Sequence, residues 1–215
     1  MRKFARFSHK VKTLKTKLPF GLPKRLGSLK MDLKEELLRI IDQLNLTYES
    51  EEAWHGPSVV EILRDVSWQM ANEKITPNSH SIAELVYHMT SWRIFCVKKL
   101  QSDKTFDIKK DKDWKLFPIF DEFEWETLQM ELSLSQEELV SELENRQEDE
   151  FLDEIVPGRE YDYYTMLHGI IQHDIYHAGQ ISILKKMMIY KGFDRKIQRE
   201  DEDHFGHDFD DLDRY

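Results

Sequence analysis

The stretch "HGIIQHDIYHAGQ", residues 168 to 180, places three histidines and an aspartate within little more than three helical turns of a mostly apolar segment. Read as a helix, its inward seam runs Met166, Ile170, His173, His177, Ile181, Leu184 and Met188, so two imidazoles occupy positions that should be apolar. Residues four apart stand one turn above each other on one face, and their ring nitrogens can converge on a point. His88 repeats the anomaly between Leu85 and Trp92 on an earlier helix. Three such histidines could supply three ligands to one divalent ion, at about 2.0–2.1 Å for zinc. Any one of them alone reads as an ordinary core histidine satisfied by a neighbour. Leaving three unpaired in a dry seam costs a few kcal/mol each, and a shared metal removes that cost.

Other metal readings fit less well. "HDIYH" has the His spacing of the zincin motif, but Asp174 stands where that motif carries Glu. The longer metzincin pattern fails because Ile183 sits where its third His belongs. A di-iron carboxylate bundle needs Glu-x-x-His on two helices, and the match from Glu52 to His55 falls in a loop. Asp174 is a candidate to orient a ligand imidazole or to serve as base, and Gln180 to bind a metal-bound water or substrate; their bland readings are a surface acid and a polar packing residue. His55, before Pro57, is a candidate pocket wall that capping or stacking on Trp54 explains equally. His168 is rotated off the ligand face, Glu84 is accounted for by a cap, and Cys96 reads as a small buried hydrophobe.

Helical periodicity positions these residues. Leu33, Leu37, Ile40 or Ile41 and Leu44 mark a first helix. In "WHGPSVVEIL" the spacing predicts a short helix with Gly56 as cap and Pro57 at its first position. Ser81 and Glu84 form a capping box that opens a helix to about Leu100. "SDKTFDIKKDKDWKLFP" reads as a charged loop, and Trp125, Leu128, Leu132, Ser135, Leu139 and Leu143 as one unbroken helix despite a second possible box at Ser135 and Glu138. Asp162 caps the last helix and Gly192 ends it, with Lys185, Lys186 and Lys191 expected to complement its dipole. Four long helices and a short one, without strand-like alternation, predict an all-α protein built as a four-helix bundle.

Composition bounds the function. The 215 residues suffice for one core plus tails, with 40 % hydrophobic content and a formal net charge of -10 that argues against general nucleic-acid binding. One cysteine excludes an internal disulfide, and no apolar run approaches the eighteen or so residues of a membrane span, so the expectation is a soluble, cytoplasmic protein. Residues 1–30 carry Lys and Arg without Asp or Glu and are broken by Pro and Gly: either a flexible basic arm or a translated leader ahead of a start at Met31. Residues 31–192 form the helical domain, and 193–215 read as an acidic solvated tail in which His204 and His207 make no specific site.

"WHGPSVVEIL", "HSIAELVYHMTSW" and "LHGIIQHDIYHAGQISILKK" together resemble the DinB/YfiT-like superfamily of metal-dependent hydrolases, in the expected order from roughly Leu33 to Met188. The resemblance implies an up-down-down-up four-helix bundle and a divalent metal, zinc or nickel foremost, held by His88, His173 and His177, the trio already reached from the seam. It also implies a homodimer, since family members often pair. Some relatives hydrolyse small molecules or transfer a low-molecular-weight thiol to an electrophile, and many have no known substrate. Three expectations follow: a metal-dependent hydrolase of a small molecule, a metal-dependent thiol S-transferase with a thiol cosubstrate, or a non-catalytic metal-binding or dimerisation module. Three protein ligands leave a coordination position open, the arrangement of catalytic zinc.

Overall fold

The structure, a computed structural model, describes residues 34–110, 112–190 and 192. The basic arm, the acidic tail with His204 and His207, Leu33 and Lys191 lie outside the described residues. Six α-helices follow in order: α1 (Glu35–Tyr48), α2 (Val59–Leu63), α3 (Trp68–Asn72), α4 (Ile82–Leu100), α5 (Glu122–Glu144) and α6 (Tyr163–Tyr190), with a 3-10 turn at Glu150–Asp153 before the last. The class is all-α, and among the described residues the extended pairing is one isolated bridge between Ile155 and Asp162.

Local chemistry explains most of the boundaries. Ser81 and Glu84 exchange their side chains for each other's backbone N–H at 3.2 and 3.1 Å and start α4. Asp121 accepts from the Glu124 N–H and Asp162 from that of Thr165, opening α5 and α6. Helix α5 runs unbroken through Ser135, whose hydroxyl donates to the Leu132 carbonyl instead of capping. Gly192 takes φ +74°, the left-handed conformation that ends α6.

Three features differ from the sequence reading. Ser58, not Gly56, caps α2, in a reciprocal box with Glu61, so Pro57 lies ahead of the helix and not at its first position. A second short helix, α3, starts at Ser67, which accepts from the Met70 N–H. Lys185 lies more than a turn before the end of α6 and donates to the Ile62 carbonyl at 3.0 Å, so it serves the C-terminal end of α2 and not the dipole of its own helix. The start of α1 is capped from far away, by Asp149, which accepts from the N–H groups of Glu36 and Leu37.

Helices α4 and α1 each pack against both α5 and α6, so the four long helices close a ring of contacts. Its core is two apolar clusters. One gathers α2, α3, the first half of α4, the first half of α5 and the second half of α6. The other gathers α1, the second halves of α4 and α5, and the first half of α6. Between them, where the four helices cross a common level, the buried residues are polar: Thr47 on α1, Arg93 on α4, Ser135 and Gln136 on α5, Asp174 and His177 on α6. Gln136 donates to Asn45 across this layer at 3.1 Å.

The layer is held by a salt bridge. Arg93, fully buried, donates through Nε and Nη2 to Oδ2 of Asp174 at 3.0 and 2.8 Å, and its guanidinium lies 4.6 Å from the centre of the Tyr48 ring. A buried pair of this kind adds little net stability over an apolar one, but removing one partner strands the other charge. Arg93→Met is therefore expected to destabilise the protein by about 3–5 kcal/mol, and Arg93→Met combined with Asp174→Leu to recover most of that loss. Urea denaturation of the three chains measures it; equal losses in the single and double variants would show that the pair is not what organises the layer.

Candidate metal centre

The polar layer opens on one side into the histidine cluster. Helix α4 contributes His88, and α6 contributes His173 and His177, one turn apart. Nε2 of His173 lies 3.1 Å from Nε2 of His88 and 3.1 Å from Nε2 of His177, and one nitrogen from each ring falls within 4.8 Å of the others. His88 and His177 are buried, while the His173 side chain is 24 % exposed, so the cluster sits at the edge of the core with one ring reaching water.

The outer hydrogen bonds determine which nitrogens carry protons. His88 Nδ1 lies 3.1 Å from the carbonyl oxygen of Asp113 and 2.9 Å from its Oδ1. His177 Nδ1 lies 2.7 Å from Oε1 of Gln180. These partners only accept, so both Nδ1 atoms are donors and both Nε2 atoms present lone pairs toward His173. His173 can answer at most one of them with its own proton. In its other tautomer three lone pairs converge, a repulsive arrangement that a cation relieves.

Neither His88 nor His177 supplies that cation at neutral pH. Burial is the main cause that holds His88 below the ordinary imidazole range, and burial first, with the neighbouring imidazoles adding to it, brings His177 down to about 4. A divalent metal fits. At bonds of about 2.0–2.1 Å, nitrogens around one ion stand about 3.3–3.4 Å apart at the tetrahedral angle and about 2.8–3.0 Å apart at the octahedral one; the 3.1 Å from His173 to each of the other two falls between, and the third pair lies within 4.8 Å. The structure thus has a three-histidine group that could hold a metal ion.

The loop after α4 forms the wall. Trp114 stacks on His88 with centroids 4.0 Å apart and planes 5° from parallel, and on its other face stacks with His80 at 3.6 Å. Oδ1 of Asp113 also accepts from the indole N–H of Trp92 at 3.1 Å. One carboxylate therefore sets both a candidate ligand and an aromatic neighbour. The composition of residues 102–118 predicts only a charged loop and does not single out Asp113 or Trp114; an isolated Trp within "KDKDWKL" is the signal the sequence carries. Arg93, a cation amid the apolar stripe of α4, was equally legible as needing a buried partner.

The remaining candidates separate by position. Asp174 is buried, with Oδ2 committed to Arg93 and Oδ1 lying 3.8 Å from Nδ1 of His173. Arg93 Nη1, Asp174 Oδ1 and His173 Nδ1 have no hydrogen-bond partner among the described residues. Gln180 touches His177. His55 lies exposed in the turn before Pro57, outside the hydrogen bonds and ring contacts of the cluster. His168 packs against Tyr164, off the ligand face. Glu84 is occupied by its capping box and by Lys74. Cys96 is fully buried and its thiol is pushed far up by burial, which leaves it inert as a nucleophile.

His177 gives the site a pH signature. Native His177 takes up a proton only near pH 4, whereas an unfolded imidazole does so near 6.5, so between those values acid favours the unfolded chain. Stability of the metal-free protein should be flat above about pH 7 and fall as the pH drops from about 6.5 toward 4. His177→Gln should remove part of that slope. Thermal melts across the range test this, and equal melting temperatures at pH 7 and pH 5 in the parent chain would contradict it.

The family model described as the DinB superfamily matches residues 32–181. No curated protein and no solved structure gives a significant match. No helix among the described residues is long and apolar enough to cross a membrane. The matched span covers most of the chain and encloses α1 to α5, most of α6 and all three clustered histidines, and the chain belongs to the DinB superfamily.

Proposed function

We propose that the protein is a metal-dependent enzyme acting on a small molecule, a hydrolase, with a zinc or nickel ion held by His88, His173 and His177. One observation carries the reading: the two outer imidazoles are each anchored through Nδ1 to an acceptor and turn an electron pair toward the third. A divalent ion there supplies a Lewis acid and lowers the pKa of a bound water or thiol.

The chain's own groups supply orientation. Gln180 fixes the ring of His177, so it acts on the ligand and not on substrate, and Asp113 fixes His88. Asp174, held by Arg93, places Oδ1 3.8 Å from Nδ1 of His173, on the side where a proton on Nδ1 leaves Nε2 free. Its burial denies it contact with a substrate, which makes it a positioning group and not a base. Trp114 covers one face of His88 and shields it from water. Three protein donors leave a coordination position for a reactant. The homodimer belongs to the same proposal: Tyr176, Ile183 and Tyr190, seven residues apart, are exposed along α6.

Metal analysis and calorimetric titration with zinc and nickel test the assignment. The expected result is one ion per chain, with His88→Ala weakening binding by at least about 100-fold while far-UV circular dichroism and melting of the metal-free protein change little. Metal-loaded protein should then hydrolyse members of a panel of esters and amides. Turnover that requires an added thiol and an electrophile would assign S-transfer instead, and collapse of the fold on metal removal would assign the ion to structure.

A further inference from the structure

Beside the histidine cluster, between α4 and α6, lies an open cavity of about 300 Å³. Trp92, Phe95, Met166 and Ile170 form its apolar walls, Thr165 and Gly169 lie on its exposed rim, and His173 also lines it. No Asp, Glu, Lys or Arg contributes to it among the described residues. The cavity and the candidate metal centre are thus joined through one ring, and joined again through Asp113, which holds both Trp92 and His88. The Trp92 ring stands 5.9 Å from that of His173.

Gly169 puts no side chain at the mouth of the cavity. It lies in the interior of α6, where alanine favours the helix more than glycine does. A Cβ built there meets nothing within 4 Å, so neither a close approach nor a positive φ requires glycine. What a side chain would take up is room at the mouth of the cavity.

We propose that this cavity binds the uncharged, apolar part of the enzyme's substrate, a single aromatic ring or a branched alkyl group of similar size, and presents the attached polar group to the three-histidine site. The inference rests on the metal-dependent reading of that site and names the substrate class. The size is apt, since an engineered apolar cavity of about 150 Å³ already admits benzene. The lining carries no charge: a carboxylate or ammonium group placed against Trp92, Phe95 and Ile170 would exchange water for apolar surface and meet no counter-charge, the polar groups of the wall being the neutral hydroxyls of Tyr161 and Thr165 and the His173 ring. The Cys96 thiol, also at the wall, stays protonated and takes no covalent part.

Binding of benzyl alcohol, benzoate and benzylammonium to the full chain, metal-free, tests the cavity by ligand-observed NMR. Benzyl alcohol should bind at least tenfold more tightly than either ion. Gly169→Phe and Thr165→Trp, both on the rim, should each weaken it at least tenfold while leaving cobalt binding and circular dichroism as in the parent. On cobalt-loaded protein, 4-phenylimidazole should bind at least tenfold more tightly than imidazole, and Gly169→Phe should erase that difference. Benzyl alcohol binding that is absent, indifferent to both substitutions or no better than that of the ions overturns the inference, as do equal affinities for the two imidazoles. Binding that weakens as protein concentration and molecular mass rise together gives the cavity to a second copy of the chain, and overturns it too. A chain that binds benzyl alcohol with the expected sensitivity but takes up no cobalt keeps the cavity and removes the metal reading instead.

Discussion

Nε2 of His173 stands 3.1 Å from Nε2 of both His88 and His177 in a half-dry seam, with at most one proton to answer the two lone pairs it faces, and the interior of this protein is arranged around that contact. The acceptors behind the rings, Gln180 and Asp113, orient them inward, and those acceptors are in turn placed by α6 and by the loop after α4. An apolar core alone would not tolerate the cluster. The molecule meets this by splitting its core in two and running a polar layer across the middle, with Arg93 and Asp174 at its centre. The ligand rings lie at the border of that layer, close enough to be oriented by it and open enough for one to reach solvent.

The loop between α4 and α5 carries more of the site than its composition suggests. Its charged side chains point mostly to water, yet Asp113 and Trp114 turn inward and close over His88. Trp114, held between two imidazoles, is fastened by stacking on both faces. The loop is therefore a wall assembled on the helices, and its inner surface is continuous, through Trp92, with the apolar cavity.

What the sequence revealed depended on whether a signal was local. The Ser81–Glu84 box, the Asp162 cap and the Gly192 terminator are contacts within a few residues, and each is where the pattern places it. The histidines were legible for another reason: a polar residue in an apolar stripe is an anomaly visible without knowing its partner. Features made by distant residues were not. Nothing near Glu35 announces that Asp149 will cap α1, and nothing near His88 announces Asp113. Asp174 stands out in the sequence as the neighbour of His173, and its salt bridge, which crosses to another helix, is not legible from that neighbourhood. Gln180, a candidate to bind a metal-bound water or substrate, has its Oε1 2.7 Å from Nδ1 of His177. His55, a candidate pocket wall from its place before Pro57, lies in a solvent-facing turn.

The Arg93–Asp174 bridge joins residues 81 positions apart, and the clustered His88 and His173 are separated by 85. A chain emerging from the ribosome thus carries a cation in its second long helix with no counter-ion until the last helix has been synthesised. Such distant pairing makes the middle of the molecule slow to assemble relative to its hairpin-like local contacts. The three imidazoles come together only at the same event, so their cluster is a property of the nearly finished protein.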